Sequence, residues 1–217
     1  TEKAITLYDG INMDRFEVKP SPNYLRNKYN LCNQNRLIGN ISALTAEKDL
    51  FTFVDTAALL SANRPDLRFF ILGDGPLKEK IIKYIADNNL ADKIFLTGFI
   101  ENIPEILPEL DLILFTSVME GLGTSLLDAF ACKIPVVSTD AGGIPEIVLN
   151  NITGLTCGIR QVPELTLCVE KLLDDNVLRN NLTENAYNFV KGFTIEKMSL
   201  KILDVYKQAI EKYYTRN

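Results

Sequence analysis

Apolar residues along the chain fall into short continuous runs separated by longer stretches in which they recur every three or four positions. The runs RLIGNI (36–41), RFFILG (68–73), KIFLTG (93–98), DLILFTS (111–117) and PVVSTD (135–140), with a weaker one at GLTC (154–157), have the β-branched and aromatic content of strands. Most are apolar at consecutive positions, as parallel strands covered on both faces should be. Between the first two, Leu50, Phe53, Val54, Ala57, Ala58 and Leu60 share one helical face until Asn63, Arg64 and Pro65 end the element. The same spacing predicts helices near 77–89, 123–132 and 163–173. Such alternation predicts an α/β domain built on a parallel sheet flanked by helices.

After residue 160 the strand pattern stops, and 176–191 and 194–214 read as two helices. The second carries Ile195, Met198, Ile202, Val205, Ala209, Ile210 and Tyr213 along one stripe. At about 1.5 Å per residue it would be roughly 30 Å long, enough to reach beyond its own domain. Residues 1–35 are polar and Asn-rich, with Pro20 and Pro22 marking a loop before a short helical stretch near 22–30. The pattern therefore divides into a connector (1–35), a sheet domain (36–175) and C-terminal helices (176–217).

Composition narrows the chemistry. A chain of 217 residues with 47% apolar content can bury one sizeable core. A net charge of −5 gives no electrostatic reason to expect nucleic acid, because the basic residues are scattered among acids. Cys32, Cys132, Cys157 and Cys168 lie far apart with no paired short spacing for zinc, which fits a reduced, cytoplasmic protein. No apolar run reaches membrane-spanning length, leaving only peripheral association through a partner region. The chain contains no His at all, which removes Ser–His and Cys–His nucleophile pairs and the HExxH metal site. Catalysis here would have to rest on carboxylates, Lys, Arg and backbone dipoles.

In an open parallel sheet, ligands bind outside the carboxyl ends of the strands, so the loops there are the places to look. Ser42 to Lys48 follows the first strand, Gly73 to Pro76 the second, and Gly98, Phe99 and Ile100 the third. The fourth leads into EGLGTSLLD at 120–128. Gly121 and Gly123 remove side chains where a helix begins, exposing amides that can receive an anionic diphosphate with help from the helix dipole. Thr124 and Ser125 add hydroxyl donors. Glu120 before this anion site and Asp128 two turns after it are acceptors for the paired hydroxyls of a nucleotide sugar. Read blandly, Glu120 caps the helix and Asp128 is merely exposed. Asp74 reads as a helix cap, and Gly142 and Gly143 as a tight turn beside the site.

The run TSVMEGLGTSLLDAFACKIPVVSTDAGGIPEIVLNNITGL (116–155) resembles the donor-binding signature of retaining glycosyltransferases with the GT-B fold, in their large sucrose-synthase-like family (glycosyl transferases group 1). YDGINMDRF (8–16), ISALTAEKD (41–49) and ILGDGP (71–76) resemble further family motifs in the same order. The resemblance implies a Rossmann-like second half of a GT-B fold, whose C-terminal crossover helices pack back toward an N-terminal acceptor domain. This chain starts at the connector and leaves no room for that domain.

The resemblance also implies roles. Glu120 would hold hydroxyls of the transferred sugar. Gly121, Leu122 and Gly123 would present amides to the sugar and distal phosphate, and Thr124 and Ser125 would touch the diphosphate. Lys48 would neutralise the leaving diphosphate, Asp128 would hold the ribose, and Gly98, Phe99 and Ile100 would meet the base, largely through main chain; Gly73 is a further candidate substrate-binding residue. Two departures stand out: Asp128 replaces the usual, longer Glu, and Ala43 stands where an Arg is common. No Asp-x-Asp is present, so metal-independent chemistry without a cofactor is expected. The donor would be a nucleoside-diphosphate hexose, UDP first, and the transfer one step of bacterial surface polysaccharide or glycan biosynthesis. Alternatives are a nucleotide-sugar epimerase of the same architecture and a non-catalytic nucleotide-binding or scaffolding module.

Overall fold

The computed structural model describes residues 4–17 and 23–214. Six strands form one parallel sheet: β1 (Arg36–Ile41), β2 (Leu67–Leu72), β3 (Ile94–Gly98), β4 (Leu112–Phe115), β5 (Val136–Thr139) and β6 (Leu155–Cys157), in spatial order β3-β2-β1-β4-β5-β6. Every expected strand forms, within two residues at either end.

The strands alternate between two cores. In β2, Phe69 and Ile71 enter one apolar layer and Phe70 and Leu72 the other; in β4, Leu112 and Leu114 oppose Ile113 and Phe115. This double burial is the physical reason for the uninterrupted apolar runs. Helices α2 (Leu50–Asn63), α3 (Lys78–Asp87) and α6 (Val162–Asp174) cover the first layer through Phe53, Ile81, Leu165 and Val169. Helices α5 (Thr124–Ala131) and α7 (Asn176–Val190) cover the second through Leu126, Phe130, Ala186 and Val190. At about 25 cal/mol per Å² of buried apolar surface, each fully buried Phe or Leu contributes roughly 2 kcal/mol.

The short α1 (Tyr24–Lys28) and α4 (Ile103–Ile106) complete the sheet domain. Helix α4, followed by a 3-10 turn at Leu107–Glu109, went unforeseen. Four residues with Pro104 among them, and a turn holding Pro108, carry no period, yet Ile106, Leu107 and Leu110 are all core. Pro20 and Pro22 lie outside the described residues.

The ends of the chain are tied together. Ile11 N–H donates to Phe193 O at 2.8 Å and Ile11 O accepts from Ile195 N–H at 3.2 Å. Leu25 is fully buried, and its N–H donates to the Glu109 carboxylate at 3.0 Å. Ile11 and Leu25 are thus built into the domain. Helix α7 likewise belongs to the core, whereas α8 (Ile195–Tyr214) leaves it and buries no residue. Ile210, on its apolar stripe, is 56% exposed. No helix among the described residues is long and apolar enough to cross a membrane.

Candidate functional site

β1 and β4 are neighbours at the center of the sheet, but the chain proceeds from them toward opposite edges. Their following loops therefore part and leave a crevice at the carboxyl ends. Lys48 comes from the β1 loop and Glu120 from the β4 loop, and Lys48 Nζ donates to Glu120 Oε2 at 2.5 Å. Ser117 Oγ donates to the same oxygen at 3.3 Å. The two side chains are 19% and 13% exposed, so water screens their attraction only in part.

Both loops are pinned by backbone and hydroxyl contacts. Thr116 Oγ1 lies 3.1 Å from Lys48 O and 3.2 Å from Asp49 O, and Val118 N–H donates to Glu47 O at 2.8 Å. Asp49, at φ +42 and nearly buried, accepts from Thr52 Oγ1 and Arg160 Nε, each at 2.9 Å. Behind the β4 loop, Thr139 Oγ1 donates to Ser117 O and Gly143 N–H donates to Glu120 O at 3.0 Å. The contact is so close that a Cβ on Gly143 would lie 1.8 Å from Gly121 O, and one on Gly142 2.1 Å from Glu120 O. The glycine pair is thus the turn beside the site that its sequence suggests, and it buttresses the Glu120–Gly121 backbone.

Gly123 begins α5 at φ +76, a conformation that L side chains adopt at a cost, and no side chain caps the helix. Glu120 is engaged by Lys48 instead of capping it. Leu126 N–H donates to Gly123 O at 2.9 Å, so the Thr124 and Ser125 amides are the ones that keep hydrogen-bonding capacity and partial positive charge at this helix start. Gly121 is exposed with nothing within 4 Å of an added Cβ, Thr124 is exposed, Ser125 half-buried, and Leu122 packs on the second core layer.

Asp128 stands one turn beyond Thr124 on the same helix face. Both line a cavity of ≈ 630 Å³ together with Asp9, Asn12, Arg15 and Met198. Burial pushes the Asp128 carboxyl up to about 6, with Arg15 pulling the other way. The same burial, helped by the Asp128 charge, pushes the Cys132 thiol up to about 12. A second cavity, ≈ 280 Å³, sits at the ends of β1, β2 and β3 and is lined by Ser42, Ala43, Gly73, Phe99, Ile100 and Ile103. Phe99 is 80% exposed at its mouth, and Gly98 turns the chain there at φ +75. Asp74 differs from expectation: it accepts from Gly75 N–H at 2.8 Å and pairs with Lys78 at 2.7 Å, leaving α3 without a side-chain cap.

Lys48, Gly73, Gly98 to Ile100 and Glu120 to Gly123 lie in or at the loops after the carboxyl ends of β1 to β4; Thr124, Ser125 and Asp128 lie in the first two turns of α5, and Gly142 and Gly143 follow β5. Lys48 and Glu120 touch; Thr124 and Asp128 share one cavity, and Gly73, Phe99 and Ile100 another. Thr116, Ser117, Thr139 and Arg15 escaped notice because isolated hydroxyls and a connector Arg have no periodic signature. Among the described residues no group of three or more Cys, Asp or Glu is placed to hold a metal ion.

An open parallel sheet with cationic, anionic and backbone donor groups gathered at its strand switch defines a Rossmann-like α/β domain with a polar ligand crevice. Residues 23–189 match the family model of glycosyl transferases group 1, and the chain belongs to that family. It is 32% identical over 164 residues to alpha-D-kanosaminyltransferase of Streptomyces kanamyceticus, covering 75% of this chain and 42% of that protein. Among solved structures, Anabaena HepE in complex with UDP and glucose superposes with a TM-score of 0.84 at 22% identity, over 93% of this chain and 56% of HepE. The C-terminal domain of a group 1 family glycosyl transferase (LpcC) from Francisella tularensis matches over its whole length and 86% of this chain, with TM-score 0.73 and 24% identity. The fold is therefore that of the C-terminal half of GT-B enzymes. The chain spans about half the length of the curated relatives it matches.

Proposed function

We propose that this chain is the donor-binding half of a retaining hexosyltransferase that uses a nucleoside-diphosphate sugar, UDP-sugar first, and needs no metal. The observation that carries the proposal is the Lys48–Glu120 contact at the strand switch, beside the uncapped start of α5. A diphosphate seated there would meet the first-turn amides of α5, the Thr124 and Ser125 hydroxyls, and Lys48. An ammonium group has three donors, so Lys48 can keep Glu120 in place with one while offering others to the diphosphate. Held in position, Glu120 accepts sugar hydroxyls through its second oxygen. As the sugar–phosphate bond breaks, negative charge grows on the departing diphosphate, and Lys48 with the α5 amides stabilises it.

The ribose would reach Asp128, and the base would enter the cavity bounded by Gly73, Phe99 and Ile100, read mainly through main chain near Gly98. UDP is favoured because HepE, similar in fold, carries UDP and glucose. The acceptor is a hydroxyl, on a bacterial surface polysaccharide or related glycan, held by an N-terminal domain outside this chain. Under the same proposal α8 packs against that domain through exposed apolar residues such as Leu203 and Ile210, residues 1–35 act as the connector, and the reaction takes place in the cytoplasm.

A thermal-shift panel of UDP, GDP and ADP with their common sugars tests the binding half of the proposal. At a hundred times its dissociation constant, a ligand adds about 2.7 kcal/mol to stability, enough to move the melting temperature by roughly 5–10 °C. A shift with uridine compounds alone is expected; no shift with any nucleotide overturns the assignment. In the full-length protein, Glu120→Ala should abolish turnover while nucleotide binding persists. Unchanged turnover would instead favour scaffolding.

A further inference from the structure

Two thiols outside the crevice have no part in donor binding. Cys157 ends β6 and is buried, Cys168 lies in α6 and is half-buried, and their sulfurs are 3.3 Å apart, with the Cys157 thiol donating. We propose that Cys157 and Cys168 form a redox-active dithiol, a modification site that closes reversibly to a disulfide on exchange with a low-molecular-weight disulfide.

The geometry needs little change. A disulfide bond is about 2.05 Å, so the sulfurs must approach by roughly 1.2 Å, within reach of small side-chain rotations. The thiols also divide the labour. The bond from Cys157 holds the Cys168 thiol down, to about 7, and Lys171 acts in the same direction; the Cys157 thiol, which supplies that proton, is pushed up. Cys168 is thus the nucleophile and the more exposed of the two. Its thiolate attacks one sulfur of the small disulfide, forming a mixed disulfide and expelling one small thiolate. Cys168 then carries no charge, so the interaction that held the Cys157 proton is gone. Cys157 passes that proton to the departing thiolate and attacks Cys168 Sγ, expelling the second small thiolate, which takes from water the proton that Cys168 released on ionising. Two protein thiols are oxidised, one small disulfide is reduced to two thiols, and atoms and electrons balance.

The other cysteines are poor rivals. Cys132 is pushed up to about 12 by burial, which removes its thiolate near neutral pH. Cys32 is exposed and has no second sulfur recorded beside it, so it would stop at a mixed disulfide. The new bond would brace the loop at 158–161. Arg160 in that loop donates to Asp49, the neighbour of Lys48, so the modification lies one ion pair from the crevice.

The test uses the chain with Cys32→Ser, which leaves three of the four cysteines. Treated with oxidised glutathione at pH 7.5 and then analysed by intact mass and peptide mapping, it should lose two hydrogens. Titratable thiols should fall from three to one, with a peptide cross-link joining 157 to 168, all reversed by dithiothreitol. With Cys157→Ser added, Cys168 should accumulate as a stable glutathione adduct; with Cys168→Ser added, no adduct should form at Cys157. Three thiols persisting after oxidation, or a stable Cys168 adduct while Cys157 is present, overturns the proposal. Nucleotide binding is not needed for any of these readouts, so they stand apart from the donor-site assignment.

Discussion

Asp128 is an acid kept where burial disfavours its charge, and replacing it with Asn should expose that cost. Its carboxyl is raised from an ordinary 3.8 to about 6. Each unit corresponds to about 1.36 kcal/mol, so ionised Asp128 costs folding roughly 3 kcal/mol. The sign follows from proton uptake. Below about pH 4 both folded and unfolded chains hold the proton, and the cost is absent. Between pH 4 and 6 the unfolded chain releases it first, so stability falls as pH rises; above about pH 7 the whole cost is present. Asn removes the charge but still buries an amide, so about 2 kcal/mol should be regained at pH 8, or roughly 4–8 °C in melting temperature. Calorimetry of the parent chain and Asp128→Asn from pH 4 to 8 measures the difference, in which the other titrating groups cancel. The gap should be near zero at pH 4 and widest at pH 8. A gap independent of pH refutes the reasoning. The same variant should bind UDP more weakly at pH 8, since a neutral amide is a poorer acceptor for a ribose diol than a carboxylate.

Lys48→Ala leaves Glu120 largely buried without its cation and, under the proposed function, removes the charge that a diphosphate would meet. Calorimetric titration should show UDP affinity falling about tenfold or more, with weaker dependence on salt. Gly143→Ala places a methyl group on Gly121 O and should lower stability by about 2 kcal/mol or more along with nucleotide binding. Gly121→Ala enters open space and should leave the melting temperature within about 1 °C. Equal losses for the two would mean that the glycine pair does not buttress the loop. Phe99→Ala, at an 80% exposed position, should leave stability within about 0.5 kcal/mol while weakening nucleotide binding; an equal loss of stability would assign the ring to packing.

How much of this was legible in the sequence depends on the type of signal. Phe69 to Leu72 and Leu112 to Phe115 are strands buried on both faces, and unbroken apolar runs announce them. For Glu120 to Asp128, a Gly-rich helix start flanked by acids is a weak signal alone, and the family resemblance of 116–155 singled the segment out; what was legible is the start of α5 after Gly123. What could not be read were contacts closed by the fold. Thr116 reaches Lys48 and Thr139 reaches Ser117 across neighbouring loops, and neither threonine belongs to a pattern. Helix α4 escaped because four residues cannot display a helical period. Helix α8 shows the opposite limit: its stripe predicted the helix, but periodicity says nothing about what the stripe meets, and in the structure Met198, Ile202 and Val205 are half-buried while Ile210 is exposed.

The crevice also has a logic apart from any ligand. A lone lysine beside an uncapped helix start would face the positive end of the helix dipole, and a lone glutamate between loops would be a charge removed from water without a partner. Together they neutralise one another at 2.5 Å, so the crevice can keep its shape without collapsing. Collapse is further resisted because neither loop depends on the pair for its shape. Thr116 and Val118 hold the Lys48 loop, and Gly143 and Thr139 hold the Glu120 loop, through bonds behind the crevice. An incoming anion therefore has to reorganise few groups, chiefly the lysine head, which keeps the cost of binding low. On this argument the double variant Lys48→Met/Glu120→Gln should retain the parent's melting temperature within a few degrees while losing nucleotide binding. The single Lys48→Met, which leaves the carboxylate without its partner, should be the less stable of the two.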